Sequence, residues 1–208
     1  MVFLVGCHHD KAQTYSADSK LNDPQNQTQR EFRKLLLDTI EKYKPSLIAE
    51  EHHLESLKAK KLCSVAHEVA LEMRISHRFC NPSRAEREKL DISRGKPIWA
   101  NGTPENHREW CEYFGKQWPI REIFWVNKLG TYINDRVLFI CGAVHRCTFR
   151  RQVESKGIAV KVVKEKIGSS CRMFKSVSEY EAYKCVRRNG FPSGNKCKTC
   201  MQRSTGYT

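Results

Sequence analysis

The sequence predicts an α/β domain, a mostly parallel sheet with helices on both faces, carrying a small cysteine-rich basic extension at its C-terminal end. Three observations lead there. Short apolar runs alternate with stretches of helical period as far as Val163. The runs are too apolar to have a wet face, as parallel strands covered on both sides are. Beyond Val163 the alternation stops, and cysteines and basic residues gather instead.

Val2-Phe3-Leu4-Val5 reads as the first buried strand. Thr14 to Gln29, rich in Asn, Asp, Ser and Gln, reads as a loop. From Gln29 to Lys44, Phe32, Leu35, Leu36, Thr39, Ile40 and Tyr43 recur at spacings of three and four, an amphipathic helix with Pro45 just past its end. Leu47-Ile48-Ala49 is a second strand running into Glu50-Glu51-His52-His53. Leu54 to Ile75 carries a helical stripe of Leu62, Val65, Ala66, Val69, Ala70 and Met73. His77 to Cys80 forms a third strand, stopped at Asn81-Pro82. Glu105 to Leu129 is one or two helices split near Trp118-Pro119. Val137 to Cys141 is the plainest strand of all, ending in Gly142-Ala143-Val144-His145 before a helix to about Ser155. Gly157 stops that helix, and Ile158 to Val163 is the last strand. The domain therefore covers residues 1–165 and the extension 166–208.

Composition narrows the class. The chain has 208 residues, 39% hydrophobic and 29% charged, which suffices for one well-buried core and disfavours disorder. No window approaches the ~20 apolar residues of a membrane span, and the start lacks the basic segment of a secretory signal. The expectation is a cytoplasmic protein with reduced thiols, despite ten cysteines. The net charge is +14, of which the stretch from Lys164 onward supplies half, with ten basic and three acidic residues. Such a tail suits weak contact with nucleic acid, helped by Tyr183, Phe191 and Tyr207.

Chemistry in a parallel sheet gathers at the carboxyl ends of the strands. Three strands here end in residues able to perform it: Gly6-x-x-His9 with His8 and Asp10 beside it, Glu50-Glu51 followed by His52 and His53, and Gly142-x-x-His145. One strand-end histidine is commonly a hydrogen-bonded structural group, and one Glu pair commonly starts a helix. Two G-x-x-H segments flanking a Glu-Glu segment, each after an apolar strand, are harder to dismiss. Histidine with carboxylate suits metal binding or general acid–base work. Successive strand residues point to opposite faces, so the two glutamates cannot both enter one site. One is expected in the site, with a slight preference for Glu50, and the other at the start of the next helix.

These stretches, VFLVGCHH (Val2 to His9), LIAEE (Leu47 to Glu51) and VLFICGAVH (Val137 to His145), resemble the TIKI/TraB, erythromycin-esterase-like and ChaN-like superfamily. The resemblance covers residues 1–163 in order, on short motifs. It implies a hydrolase-like site, metal-dependent in the peptidase branch and metal-independent in the esterase branch, in which His9, His145, Glu50 and Glu51 match the motif residues. The superfamily also carries an intervening arginine. Arg121, in PIREIFW, is the best placed candidate, and Arg87 a weaker one.

The implied enzyme is a metal-dependent hydrolase of a peptide or ester substrate. His9, Glu50 and His145 would hold a divalent ion (Mn, Co, Zn or Fe), the other glutamate would act as base, and Arg121 would steady the oxyanion. ChaN-like relatives imply an alternative, haem or iron binding without turnover. In the tail, Cys197-x-x-Cys200 with Cys171 and Cys185 could close a structural zinc site, though only one true knuckle is present. A redox role for that knuckle would need a helix start, which Gly190, Pro192 and Gly194 oppose.

Overall fold

A computed structural model of the chain describes residues 1–7, 12–92, 99–100, 103–104, 117–142 and 145–164. The chain divides into two compact units. One comprises Met1–Ser83 with Ile123–Met173, the other Arg84–Glu122 with Phe174–Thr208. The expected boundary near Lys166 and the whole extension lie outside the described residues.

The first unit is built on five strands, all parallel: β1 (Val2–Cys7), β3 (Leu47–Glu50), β5 (Ser76–Phe79), β8 (Val137–Gly142) and β9 (Val160–Lys164). They lie in the order β5-β3-β8-β1-β9. Every residue of β1, β3 and β8 is buried, which explains why these strands read as unbroken apolar runs.

Side-chain alternation sorts the sheet into two cores. Phe3, Val5, Ile48, Leu138 and Ile140 meet α1 (Gln27–Tyr43) and α3 (Val65–Glu72) on one face. Val2, Leu4, Leu47, Ala49, Val137 and Phe139 meet the later turns of α5 (Trp118–Leu129) and α6 (Arg146–Glu154) on the other. The α/β class with helices on both faces is thus the observed one.

The chain leaves β1 through α1 on the first face and leaves β8 through α6 on the second. β1 and β8 are neighbours, in register from Val2↔Val137 to Cys7↔Gly142. The topology therefore reverses between the C-terminal ends of these two strands, where open α/β sheets form their ligand crevice.

Some elements differ from the sequence reading. The stretch from Leu54 to Ile75 is not one helix but α2 (Leu54–Ala59), a short strand β4 (Leu62–Ser64) and then α3. Lys61 takes a left-handed φ of 50°, which breaks the helix, and Ser64 caps α3 by accepting the His67 N–H. Leu62 belongs to the apolar stripe but lies on β4, which pairs antiparallel with β2 (Thr14–Ser16) inside the expected loop. The expected stop at Gly157 is present, with φ 75°. In the second unit the described elements are α4 (Arg84–Lys89), the pair β6 (Trp99–Ala100) and β7 (Thr103–Pro104), and the start of α5, with Pro119 in its first turn. Among the described residues no helix is long and apolar enough to cross a membrane.

Candidate functional site

The end of β8 and the residue after β3 are tied together. Glu51 extends the ladder beyond β3, donating its N–H to the Ile140 carbonyl at 2.9 Å. Its Oε2 accepts the Gly142 N–H at 2.6 Å. The Gly142 carbonyl in turn accepts the His145 N–H at 2.9 Å. His145 then opens α6: its carbonyl accepts the Phe149 N–H at 2.8 Å and the Thr148 hydroxyl at 3.1 Å. The consequence is that His145 Nε2 faces Glu51 Oε1 at 3.4 Å.

Both side chains are nearly buried, His145 3% and Glu51 5% exposed. Trp125 stands edge-to-face against the imidazole, ring centres 4.9 Å apart, and is itself packed on Phe139 and Phe149. A carboxylate and an imidazole are thus held by backbone on one side and aromatic rings on the other. The 3.4 Å separation is long for a hydrogen bond, as catalytic pairs often are before substrate binds.

Glu50 goes the other way. It is fully buried on the α1/α3 face, where its Oε1 accepts the Ser64 hydroxyl at 2.6 Å and lies 3.0 Å from His77 Nε2. An ionised carboxylate only accepts, so His77 Nε2 carries the proton. Burial is the strongest influence on this carboxyl and pushes its pKa up. The His77 hydrogen bond, the charges of His52 and His77 and the Ser64 hydroxyl together outweigh it, and the net shift is downward from 4.5. Oε2 has no hydrogen-bond partner.

His67 packs against His77 and Phe79, ring centres 4.8 Å and 5.3 Å away. Its pKa is lowered from 6.5, by burial first and then by the His77 charge, against the opposing pull of Glu50 and Glu68. The nearby Cys80 thiol is pushed up to about 12, chiefly by burial, which leaves it unreactive near neutral pH.

The alternation argument therefore separates the two glutamates as expected, but the preference for Glu50 does not match the geometry: Glu51 is the one beside His145. Neither glutamate caps α2, whose N-cap is His53 with no side-chain cap bond. The expected metal set of His9, Glu50 and His145 is not assembled as named. Glu50 and His145 leave the sheet on opposite faces, each with a different carboxylate–imidazole partner. Among the described residues no group of three His, Cys, Asp or Glu is placed to hold a metal ion.

His8, His9 and Asp10 lie outside the described residues, as do Cys171, Cys185, Cys197 and Cys200. Arg121 belongs to the second unit, on the first turns of α5, and its Nε is buried without a hydrogen-bond partner. Arg87 lies on α4 of the same unit. His53 Nδ1 is 3.9 Å from Glu55 at the start of α2.

Three residues escaped the sequence reading: Ser64, His67 and His77. The signal for His77 was present, because alternation along Ser76–Phe79 sets His77 and Phe79 on one face and Arg78 on the other. The parallel register Ile48↔His77 and Glu50↔Phe79 then puts His77 on the Glu50 side. No family model, no curated protein and no solved structure matches the chain. The likeness to the superfamily accordingly rests on the three motifs.

Proposed function

We propose that the chain is a hydrolase in which the Glu51–His145 pair activates water at the crevice between the C-terminal ends of β1 and β8. The observation that carries this reading is the pair itself: 3.4 Å apart, nearly buried, and adjoining the point where the sheet topology reverses.

With Nε2–H directed at the Glu51 carboxylate, Nδ1 is the nitrogen that accepts a proton. It takes one from a water molecule as the water oxygen bonds to the carbonyl carbon of an ester or peptide. The carbonyl π electrons move onto oxygen, and Glu51 stabilises the imidazolium that results. Collapse of the tetrahedral adduct re-forms the carbonyl and expels the alcohol or amine, which takes the proton back from Nδ1. Gly142 N–H and the Trp125 ring hold the two partners in register, so little reorganisation accompanies the step. The superfamily motif also matches His9, which the resemblance assigns to the same chemistry.

The test is hydrolysis of a p-nitrophenyl ester and of a fluorogenic peptide by the full chain and by the His145→Asn and His9→Asn variants. The proposal expects turnover on one of the two probes and a loss of about 10²–10⁴-fold on replacing His145. Wild-type turnover in His145→Asn, with the fold intact, would overturn it.

A further inference from the structure

The opposite edge of the same sheet has a different character. In a parallel sheet every connection enters its strand at the N-terminal edge, and here four of the five entries carry a basic residue. Arg74 precedes β5, Lys44 precedes β3, Arg136 precedes β8 and Lys156 precedes β9, with Lys161 the second residue of β9. In the strand order β5-β3-β8-β1-β9 these form a row interrupted only at β1. All five are exposed, and so is Lys42 at the end of α1.

The row is built rather than scattered. Lys44 and Arg74 occupy left-handed positions, φ 48° and 54°, where a helix end favours glycine. Arg136 Nη1 donates to the Tyr43 carbonyl at 3.3 Å, and the Arg136 carbonyl accepts the Ser46 N–H at 2.8 Å, which joins adjacent strand entries. Lys42 and Lys161 both reach over the Tyr43 ring, 5.5 Å and 4.9 Å from its centre. Lys44, Ser46, Asn134 and Arg136, with Asp135, line a cavity of about 520 Å³ there.

Helix dipoles explain part of this, since cations favour helix C-termini. They account for Lys42, Lys44, Arg74 and Lys156 but not for Arg136 or Lys161. Among the described residues none of the six cations makes an ion pair. Acidic groups on neighbouring helix ends are engaged elsewhere, Glu72 with Arg33 and Glu154 with Arg150, which leaves Glu41 and Asp135 as the local counter-charges.

We propose that this N-terminal edge is a binding surface for the phosphate backbone of a nucleic acid. At about 4.8 Å per strand the row spans about 20 Å, comparable to the axial rise of about six base-pair steps of a duplex. A row of exposed cations along one edge of the sheet complements the repeating charges of a linear polyanion. Ser46 and Asn134 add the neutral donors that commonly accompany phosphate contacts.

The experiment is fluorescence anisotropy of a labelled 20-base-pair duplex with the full chain between 50 and 200 mM NaCl. Wild type is compared with Lys44→Asn/Arg136→Gln/Lys161→Gln. A control, Lys20→Gln/Lys34→Gln/Lys58→Gln, removes equal charge elsewhere; asparagine keeps the left-handed position tolerable. The expected result is that the slope of log K against log salt shrinks by about 2.7 in the edge variant, or about 0.9 for each lost phosphate contact. The control slope should change by less than one. Equal losses in both variants would overturn the proposal, as would an unchanged slope in the edge variant or equally tight wild-type binding of poly-glutamate.

Discussion

Glu50 and Glu51 are adjacent in sequence and chemically identical, yet they occupy unlike surroundings. Glu50 ends β3 among the α1/α3 side chains, fully buried and bonded to Ser64 and His77. Glu51 sits one residue on, bonded to the Gly142 amide and facing His145 beneath Trp125. A half-turn of the extended backbone creates the difference. It teaches that a repeated acidic residue at a strand end can serve both faces of a sheet: one carboxylate fastens strands and helix together, and the other is presented with an imidazole at the crevice.

The largest expected effect falls on the Glu51 side. His145→Asn should lower hydrolysis by about 10²–10⁴-fold while leaving the melting transition close to wild type, which kinetics and calorimetry on one preparation would check. Next comes Glu50→Ala. It strands the Ser64 hydroxyl and the His77 N–H without their acceptor, each costing about 1–3 kcal/mol, so urea unfolding should show a loss of about 3 kcal/mol. A loss under 1 kcal/mol would remove Glu50 as a fastening. Ser64→Ala should cost about 1–2 kcal/mol, because one hydroxyl both caps α3 and bonds Glu50.

The smallest effect is on pH dependence. Glu50 is held ionised to lower pH in the fold than in the unfolded chain. The unfolded state therefore binds more protons between the two values, and this stability is complete above about pH 4.5 and lost as pH falls through the native value. His67, lowered from 6.5, has the same sign: the unfolded chain protonates first, so stability declines as pH drops below 6.5. Replacing Glu50 by Gln should flatten the acid limb, and His67→Gln the limb just below pH 6.5. Unfolding curves at half-unit intervals would show either change.

The strands β1, β3 and β8 were legible because full burial on both faces writes an apolar run into the sequence. The helix α1 was legible from its stripe, and the stop at Gly157 from its residue type. The break between α2 and α3 was hidden. Leu62 continues the helical stripe, while the left-handed turn at Lys61 is carried by a residue with no turn signature. Alternation showed that Glu50 and Glu51 must diverge. It could not show which face carries the second imidazole, because that depends on α5 and α6 packing on the Glu51 side. Alternation gave the face that His77 takes on β5, but its pairing with Glu50, like that of Ser64, was not legible. Their approach is set by the β3–β5 register and by a capped helix start 14 residues away, neither of which has a local pattern.

The sharpest test exchanges the two carboxylates for amides one at a time. Glu51→Gln and Glu50→Gln are each measured for ester and peptide hydrolysis and for urea stability, below the melting temperature of both. The account predicts a crossover, with hydrolysis falling at least about 100-fold in Glu51→Gln and holding near wild type in Glu50→Gln, while stability falls more in the latter. Hydrolysis lost in Glu50→Gln and retained in Glu51→Gln would contradict it.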